Sequence, residues 1–176
     1  MNSTELDILI RKTAGGDMEA LESIYLDTRE KVYAYALSVT KNTHDAEDVL
    51  HDCYLKIYRG ASGYVSQGKP MAWVFTITRN ICLMMYRKKA HVIQMNDEDR
   101  EPDLGLDQIE NVEDRLTLEK AFSVLQEDTC QIIMLHAVSG MKHREIAGLL
   151  NMQLSTVLSK YNRGIKKLRK ELEGMI

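Results

Sequence analysis

Hydroxyl-bearing and basic side chains recur along the last helical pattern of the chain, near its C-terminus. Stepping by about 100° per residue, the rotation of an α-helix, places them on one side of that helix. They are Ser155, Thr156, Ser159, Lys160, Arg163, Lys166, Lys167 and Lys170. Hydroxyl groups can hydrogen-bond to base edges, while lysine and arginine bind phosphates. The pattern therefore predicts a surface that contacts DNA, with a solvated cationic face on an ordinary terminal helix as the alternative.

Two helical segments position this surface. Their apolar residues are Ile146, Ala147, Leu149 and Leu150 in the first segment and Val157, Tyr161, Ile165 and Leu168 in the second. The break between them spans residues 151–153, and Ser155 can serve as the N-cap of the second helix. A short helix, a tight turn and a second amphipathic helix indicate a helix-turn-helix.

A second candidate surface lies on the helix that the periodicity predicts from His44 to Arg59. Its outward residues are Asp45, Glu47, Asp48, His51, Asp52 and Leu55. An exposed leucine flanked by carboxylates suits a basic, partly apolar protein partner, although single exposed leucines are also ordinary. Asp48 and His51 share one side of the helix, but no second motif of this kind accompanies them, as a metal-binding bundle would require. We therefore expect a protein-binding surface, with no metal and no cofactor.

The helix that begins at Pro70 carries a third candidate surface. Its outward polar and basic residues are Thr76, Arg79, Asn80, Arg87 and Lys88, with Trp73 and Tyr86 at the margins. Basic groups interleaved with aromatic rings can hold single-stranded DNA by phosphate contact and stacking. A tryptophan such as Trp73 is more often a core residue than a stacking platform for bases. The inward side of the same helix is expected to include Met84.

The charge of the chain is unevenly distributed. The formal net charge of the 176 residues is −3, which is unexpected for a nucleic-acid binder unless the charges are segregated. Residues 97–119 hold ten acidic residues and two arginines, whereas residues 160–170 hold six basic residues and no acid. This asymmetry predicts separate roles along the chain.

Helical periodicity and a content of only two prolines predict an all-α fold. We expect two small helical domains, residues 1–90 and 111–176, joined by a flexible acidic linker over residues 91–110. The three cysteines are far apart in sequence, which predicts buried thiols. The lack of a signal-peptide pattern and of a membrane-spanning apolar run predicts a cytoplasmic protein.

The motifs together resemble those of the extracytoplasmic-function (ECF) sigma factors, compact bacterial sigma factors that keep only the second and fourth conserved regions. The matching stretches are GDMEALESIY, DAEDVLHDCYLKIY, PMAWVFTITRN, REIAGLLNMQLSTV and KKLR, in the order and spacing of the family. The resemblance covers the chain from about Gly16 to Leu172. Its most specific part is DAED followed by P-x-AW-x-F-x-I-x-RN.

The resemblance implies a role for each surface. In the family, the DAED helix docks on the clamp coiled coil of the largest β-type polymerase subunit, and the residues so assigned are Asp45, Glu47, Asp48, Asp52 and Leu55. The next loop, residues 60–69, and the next helix hold the minus-ten element as a single strand, which assigns Thr76, Arg79, Asn80, Arg87 and Lys88. The last helix enters the major groove of the minus-thirty-five element, which assigns Ser155, Thr156, Ser159, Lys160, Arg163, Lys166 and Lys167. By analogy, an anti-sigma factor is a further candidate partner.

Three positions depart from the family pattern. Met84 stands where the family usually has an aspartate, and Ser155 stands where a glycine is common. Leu158-Ser159-Lys160 replaces the frequent Lys-Ser-Arg, so one usual basic contact is missing. These departures concern promoter sequence and DNA affinity more than the overall role.

The sequence therefore predicts a sigma factor that binds core polymerase and directs promoter recognition, strand opening and transcription initiation. A stand-alone helix-turn-helix regulator would instead bind promoters tightly without polymerase. A sigma-mimicking adaptor would bind its partner without reading DNA, so loss of Arg163 and Lys167 would leave its activity unchanged. An enzyme is not expected, because no nucleophile–base pair or phosphate-binding loop is visible.

Overall fold

The computed structural model describes residues 1–93 and 125–173. The chain divides into two compact units, Met1–Gly105 and Leu106–Ile176. Every regular element within the described ranges is helical, which confirms the predicted all-α fold. Most of the expected linker and the first residues of the expected second domain, up to residue 124, lie outside the described residues.

The N-terminal unit contains four α-helices. They are α1 (Ser3–Ala14), α2 (Met18–Thr40), α3 (Thr43–Gly60) and α4 (Pro70–Ile93), with one 3₁₀ turn (Ala61–Gly63) after α3. Asn2, Asp17 and Asn42 cap the first three helices, because each side chain accepts a backbone N–H from the first turn. Thr43, the first residue of α3, is buried.

Helix α2 is the centre of this unit. Residues 32–39 are all buried, so the helix is covered on every side by α1, α3 and α4. The ring of Tyr35 stacks on that of Phe75 in α4, with ring centroids 4.8 Å apart. The buried hydroxyls of Thr28 and Tyr54 lie 2.8 Å apart and satisfy each other across α2 and α3.

The buried side of α4 differs from the predicted one. It consists of Val74, Phe75, Thr78, Ile81 and Cys82. The prediction that Met84 faces inward is wrong, because this side chain is 47% exposed. Its sulfur lies 3.6 Å from the Lys56 ammonium of α3, at the margin of the interface between the two helices.

All three cysteines fall within the described residues, where each is buried and none forms a disulfide, as predicted. Burial raises the pKa of the Cys53 thiol to about 12, and its sulfur lies 3.3 Å from the Thr78 hydroxyl oxygen. The thiol therefore stays protonated and acts as a packing group between α3 and α4.

The described part of the C-terminal unit contains three helices. They are α5 (Glu127–Ala137), α6 (His143–Leu150) and α7 (Leu154–Glu173). Asn151 ends α6 in the left-handed conformation, with φ of 53°, and its backbone N–H donates to the last turn of α6. The predicted helix, three-residue turn and second helix are therefore present.

The prediction that Ser155 caps α7 is wrong. The backbone N–H groups of Thr156 and Val157 donate to the Gln153 carbonyl at 3.0 and 3.1 Å, so the helix begins one residue before Ser155. The tight turn brings the chain into helical geometry earlier than the serine. Ser155 thus lies exposed inside the first turn.

None of the helices in the described ranges combines the length and apolar character that crossing a membrane requires.

Candidate polymerase- and DNA-binding surfaces

Helix α3 presents an acidic strip with one large apolar side chain in it. Asp48 and Asp52 are exposed, and Leu55 is 42% exposed beside them. Glu47 is half-buried at the edge of the strip, and Asp45 is half-buried where it lines a small crevice with residues of α4. The structure therefore brings three of the five predicted polymerase-binding residues fully to the surface. The other two lie at its margin.

Tyr58 extends this strip and was missed by the sequence analysis. It is exposed and follows Leu55 by three residues, so both lie on the same side of α3. The i, i+3 spacing of Leu55 and Tyr58 in the sequence already indicates that they share one side of the helix. Within the described residues, no group of three or more histidine, cysteine or acidic side chains converges in a way that could hold a metal ion.

The outward side of α4 carries the residues predicted for the minus-ten element. Asn80, Arg87 and Lys88 are exposed, whereas Thr76 and Arg79 are half-buried. The Thr76 hydroxyl donates to the Ala72 carbonyl at 2.7 Å, which leaves its oxygen as an acceptor. All five side chains lie along one helix, as a surface that follows a single strand would require.

Trp73 is half-buried and packs against the loop that precedes α4. Its ring lies against that of Tyr64, with centroids 4.8 Å apart and the planes tilted by 56°. A Cβ on Gly60 would lie 3.7 Å from the same indole ring, an ordinary van der Waals contact. These contacts support a structural role for Trp73.

Tyr64 also connects the loop before α4 to helix α1, near the start of the chain. The Tyr64 hydroxyl donates to a carboxylate oxygen of Asp7 in α1 at 2.6 Å. No sequence motif points to Asp7 or Tyr64, because the two residues are separated by 57 positions.

Helix α7 separates apolar and basic sides as predicted. Its buried or half-buried apolar residues are Val157, Tyr161, Ile165 and Leu168. Of the seven residues assigned by the resemblance to the minus-thirty-five element, Ser155, Ser159, Arg163, Lys166 and Lys167 are exposed. The other two, Thr156 and Lys160, are half-buried.

Lys160 has a partner within the domain. Its ammonium lies 2.5 Å from the Asp128 carboxylate of α5, and its side chain is 19% exposed. The ion pair anchors α7 on α5 and partly neutralises the charge that Lys160 would bring to a phosphate. Contact between Lys160 and DNA remains a prediction.

Three rings join the helices of the C-terminal unit. His136 of α5 stacks on His143 of α6 with centroids 4.2 Å apart, and Tyr161 of α7 meets both rings edge-on at 4.9 and 4.6 Å. Burial, and next the nearby His136, lower the pKa of His143 below 6.5. The neutral imidazole is therefore the form that this ring cluster favours.

Comparison with known proteins gives matches in both units. The family described as Sigma-70 region 2 matches residues 24–92, and that described as Sigma-70, region 4 matches residues 115–168. The ECF RNA polymerase sigma factor SigK of Mycobacterium sp. (strain KMS) is 25% identical in an alignment 174 residues long that covers 95% of this chain and 90% of the relative. SigK of Mycobacterium tuberculosis (strain ATCC 25177 / H37Ra) is 26% identical in an alignment 178 residues long, gaps included, that covers 97% of this chain and 95% of the relative.

Two solved structures share the fold. CnrH in complex with the cytosolic domain of CnrY aligns with a TM-score of 0.59 at 19% identity, over 97% of this chain and 98% of that one. The sigma factor RpoE from Bartonella quintana, in a co-crystal with the anti-sigma factor NepR, aligns with a TM-score of 0.67 at 23% identity, over 86% of this chain and 96% of that one. With both family matches in the expected order and the relatives covered almost end to end, the chain belongs to the extracytoplasmic-function sigma factors of bacterial RNA polymerase.

Proposed function

We propose that the α3 strip docks this sigma factor on core polymerase and that the exposed face of α7 reads duplex DNA at the minus-thirty-five element. The observation that carries the proposal is that two surfaces of opposite charge, one acidic and one basic, lie on different units. Asp48, Asp52 and Leu55 are exposed on α3 in the first unit, while Arg163 and Lys167 are exposed on α7 in the second.

The docking surface combines charge and apolar contact. Carboxylates steer a basic partner and fix its orientation, and a leucine that becomes buried supplies affinity. Leu55 is suited to this role because it already stands among the carboxylates Asp48 and Asp52, with Glu47 and Asp45 beside them.

The minus-ten element is assigned to the loop of residues 60–69 and the outward side of α4. Arg87 and Lys88 would neutralise phosphates, and Arg79 and Asn80 would contact an unpaired strand. Holding the single strand favours strand opening, because the free energy of these contacts is gained only after the duplex has separated. Trp73 and Tyr64 support the loop from beneath rather than stacking on bases.

The net charge of −3 is compatible with this role. A chain that binds DNA alone needs many phosphate contacts, whereas a subunit of polymerase can rely on the rest of the enzyme for nonspecific affinity. We propose that the chain has no catalytic activity of its own and acts in the cytoplasm with the polymerase. An anti-sigma factor is a proposed further partner, supported by the NepR complex of the related RpoE.

Run-off transcription with purified bacterial core polymerase and genomic fragments tests the proposal. We expect the chain to co-purify with core polymerase and to direct initiation from defined start sites that core alone does not use. A gel shift without polymerase distinguishes the sigma factor from a stand-alone regulator, because only the regulator would bind promoters tightly by itself. Failure to co-purify with core, or to select start sites, would overturn the proposal.

A further inference from the structure

The Asp7 carboxylate of α1 is a shared acceptor for the loop between α3 and α4. One of its oxygens accepts the Tyr64 hydroxyl at 2.6 Å, and the other lies 3.1 Å from the Arg11 guanidinium. The Asp7 side chain is only 15% exposed, whereas that of Arg11 is largely in solvent. Hydrogen bonds from the Ser66 hydroxyl and then from Tyr64 lower the pKa of Asp7 below 3.8, so it is ionised at neutral pH.

The bond to Asp7 holds the residue that precedes Val65. Tyr64 is fixed by this bond and by its ring contact with Trp73. Because charge-assisted hydrogen bonds are stronger than neutral ones, Tyr64 is a firm anchor for the segment that carries Val65.

Val65 itself projects away from the protein. Its side chain is 75% exposed, the largest exposed fraction of the large apolar residues in the described ranges. Burying apolar surface is favourable by roughly 25 cal/mol per Å², so covering Val65 with a ligand would contribute binding free energy. The anchored Tyr64 fixes the position of the valine in solvent, where the apolar face of an unstacked base could cover it.

We propose that Asp7 is a positioning residue for promoter opening: α1 holds Tyr64 so that the adjacent Val65 contacts an unpaired base of the minus-ten strand. This inference rests on the proposed assignment of residues 60–69 to the minus-ten element. Asp7 does not touch DNA in this arrangement, and its effect is transmitted through the loop.

Four variants test the arrangement. Asp7→Leu removes the acceptor while keeping the branching and number of side-chain heavy atoms, and Asp7→Asn keeps one acceptor oxygen. Tyr64→Phe keeps the ring contact with Trp73 but removes the hydroxyl, and Val65→Ser removes the apolar contact. Arg11→Gln is the matched control, because it removes an exposed ion pair with the same carboxylate and leaves the loop bonds in place. Far-UV circular dichroism during thermal unfolding establishes that each variant folds.

The probe is a single-stranded oligonucleotide carrying the non-template minus-ten strand of a start site mapped with the wild-type holoenzyme. We expect Asp7→Leu and Tyr64→Phe holoenzymes to bind it about tenfold more weakly, because one hydrogen bond to a charged group contributes about that factor. Val65→Ser should show a loss of similar size, because it removes the contact that this bond positions. Asp7→Asn should fall between these and the wild type, and Arg11→Gln should bind like the wild type. The affinity for core polymerase should be the same for all five.

Base discrimination provides the readout that a merely structural role would not change. With oligonucleotides substituted one base at a time, the three weak variants should lose discrimination at the same single position and keep it elsewhere. Wild-type affinity and discrimination in these variants would overturn the inference, and so would an equal loss of core binding. If the wild-type holoenzyme itself does not bind the oligonucleotide, the proposed function of the loop fails instead.

Discussion

A Cβ placed on Gly164 of α7 would lie only 2.5 Å from Cγ2 of Thr129 in α5, a separation that real Cβ atoms essentially never show. The same methyl group would lie 2.8 Å from Cδ1 of Ile133. The absence of a side chain at Gly164 therefore allows α5 and α7 to approach closely, and this contact sets the position of α7 within its domain.

The Gly164→Ala variant should be less stable than the wild type. Overpacking a core costs about 1–3 kcal/mol, which outweighs the helix-propensity gain of about 1 kcal/mol for alanine over glycine. We expect a net loss of about 1 kcal/mol in the free energy of unfolding, measured by urea denaturation. Gly148→Ala is the matched control, because nothing lies within 4 Å of a Cβ at that helical position. The control should gain roughly 0.5–1 kcal/mol, and a similar gain for Gly164→Ala would contradict the packing argument.

Charge reversal in the α3 strip should weaken binding to core polymerase. Asp48→Arg opposes a basic partner, and Leu55→Ala removes the apolar contact, so each should lower the affinity by about tenfold or more. A competition assay with labelled wild-type chain measures the dissociation constants. Glu30→Arg on α2 is the control, since it reverses an exposed charge on a different helix. Full transcription and core binding by Asp48→Arg would show that the docking surface lies elsewhere.

Removing one basic group from α7 should weaken DNA binding in a salt-dependent way. For Lys167→Gln, the slope of log affinity against log salt should decrease by about 1, with a similar loss on all sequences. The measurement uses holoenzyme and a duplex that the wild-type holoenzyme selects from a random library. Lys12→Gln, an exposed lysine of α1, should leave the slope unchanged. If the double variant Arg163→Gln, Lys167→Gln retains wild-type transcription, the adaptor alternative is favoured.

The three-ring cluster should make the C-terminal domain less stable in acid. The pKa of His143 is lowered in the folded state, so below about pH 6.5 the unfolded chain binds more protons and stability decreases. The loss grows as the pH falls toward the lowered pKa and is complete below it. Nε2 of His143 is buried and has no hydrogen-bond partner among the described residues, so an imidazolium would leave a donor unsatisfied there.

Hydrogen exchange of α7 peptides, followed by mass spectrometry at pH 7.5 and 5.5 after correction for intrinsic rates, measures this effect. Protection should decrease with acidification in the wild type and much less in His143→Phe, which keeps a ring against His136 and Tyr161. His51→Gln removes an exposed histidine on α3 and should behave like the wild type. An equal decrease in His143→Phe would place the pH sensitivity at another group.

The sequence was informative where helical periodicity governs the structure. The apolar side of α7, the helix-turn-helix and the exposure of Asp48, Asp52 and Leu55 all follow from a 3.6-residue repeat. It was less informative at helix ends, where Asn42 caps α3 although Thr43 was also available, and where α7 begins before Ser155. Neighbouring capping residues differ by a few tenths of a kcal/mol, so the tertiary turn decides between them.

Contacts between distant residues could not be predicted from the pattern. The bond between Asp7 and Tyr64 and the ion pair between Lys160 and Asp128 join different helices and carry no motif. Met84 was misplaced because it lies near the boundary of the buried side of α4, where a rotation of a few tens of degrees decides exposure.

The outward residues of α7 are separate from those that hold the helix in place. Ser155, Ser159 and Arg163 are exposed, while Val157 and Gly164 make the core contacts. Substitutions at such surface positions usually alter stability by no more than about 0.5 kcal/mol. With α7 reading the minus-thirty-five element as proposed, new promoter preferences can evolve on this scaffold through a few changes, and duplicated copies can diverge in the genes they control without any compensating change in the core.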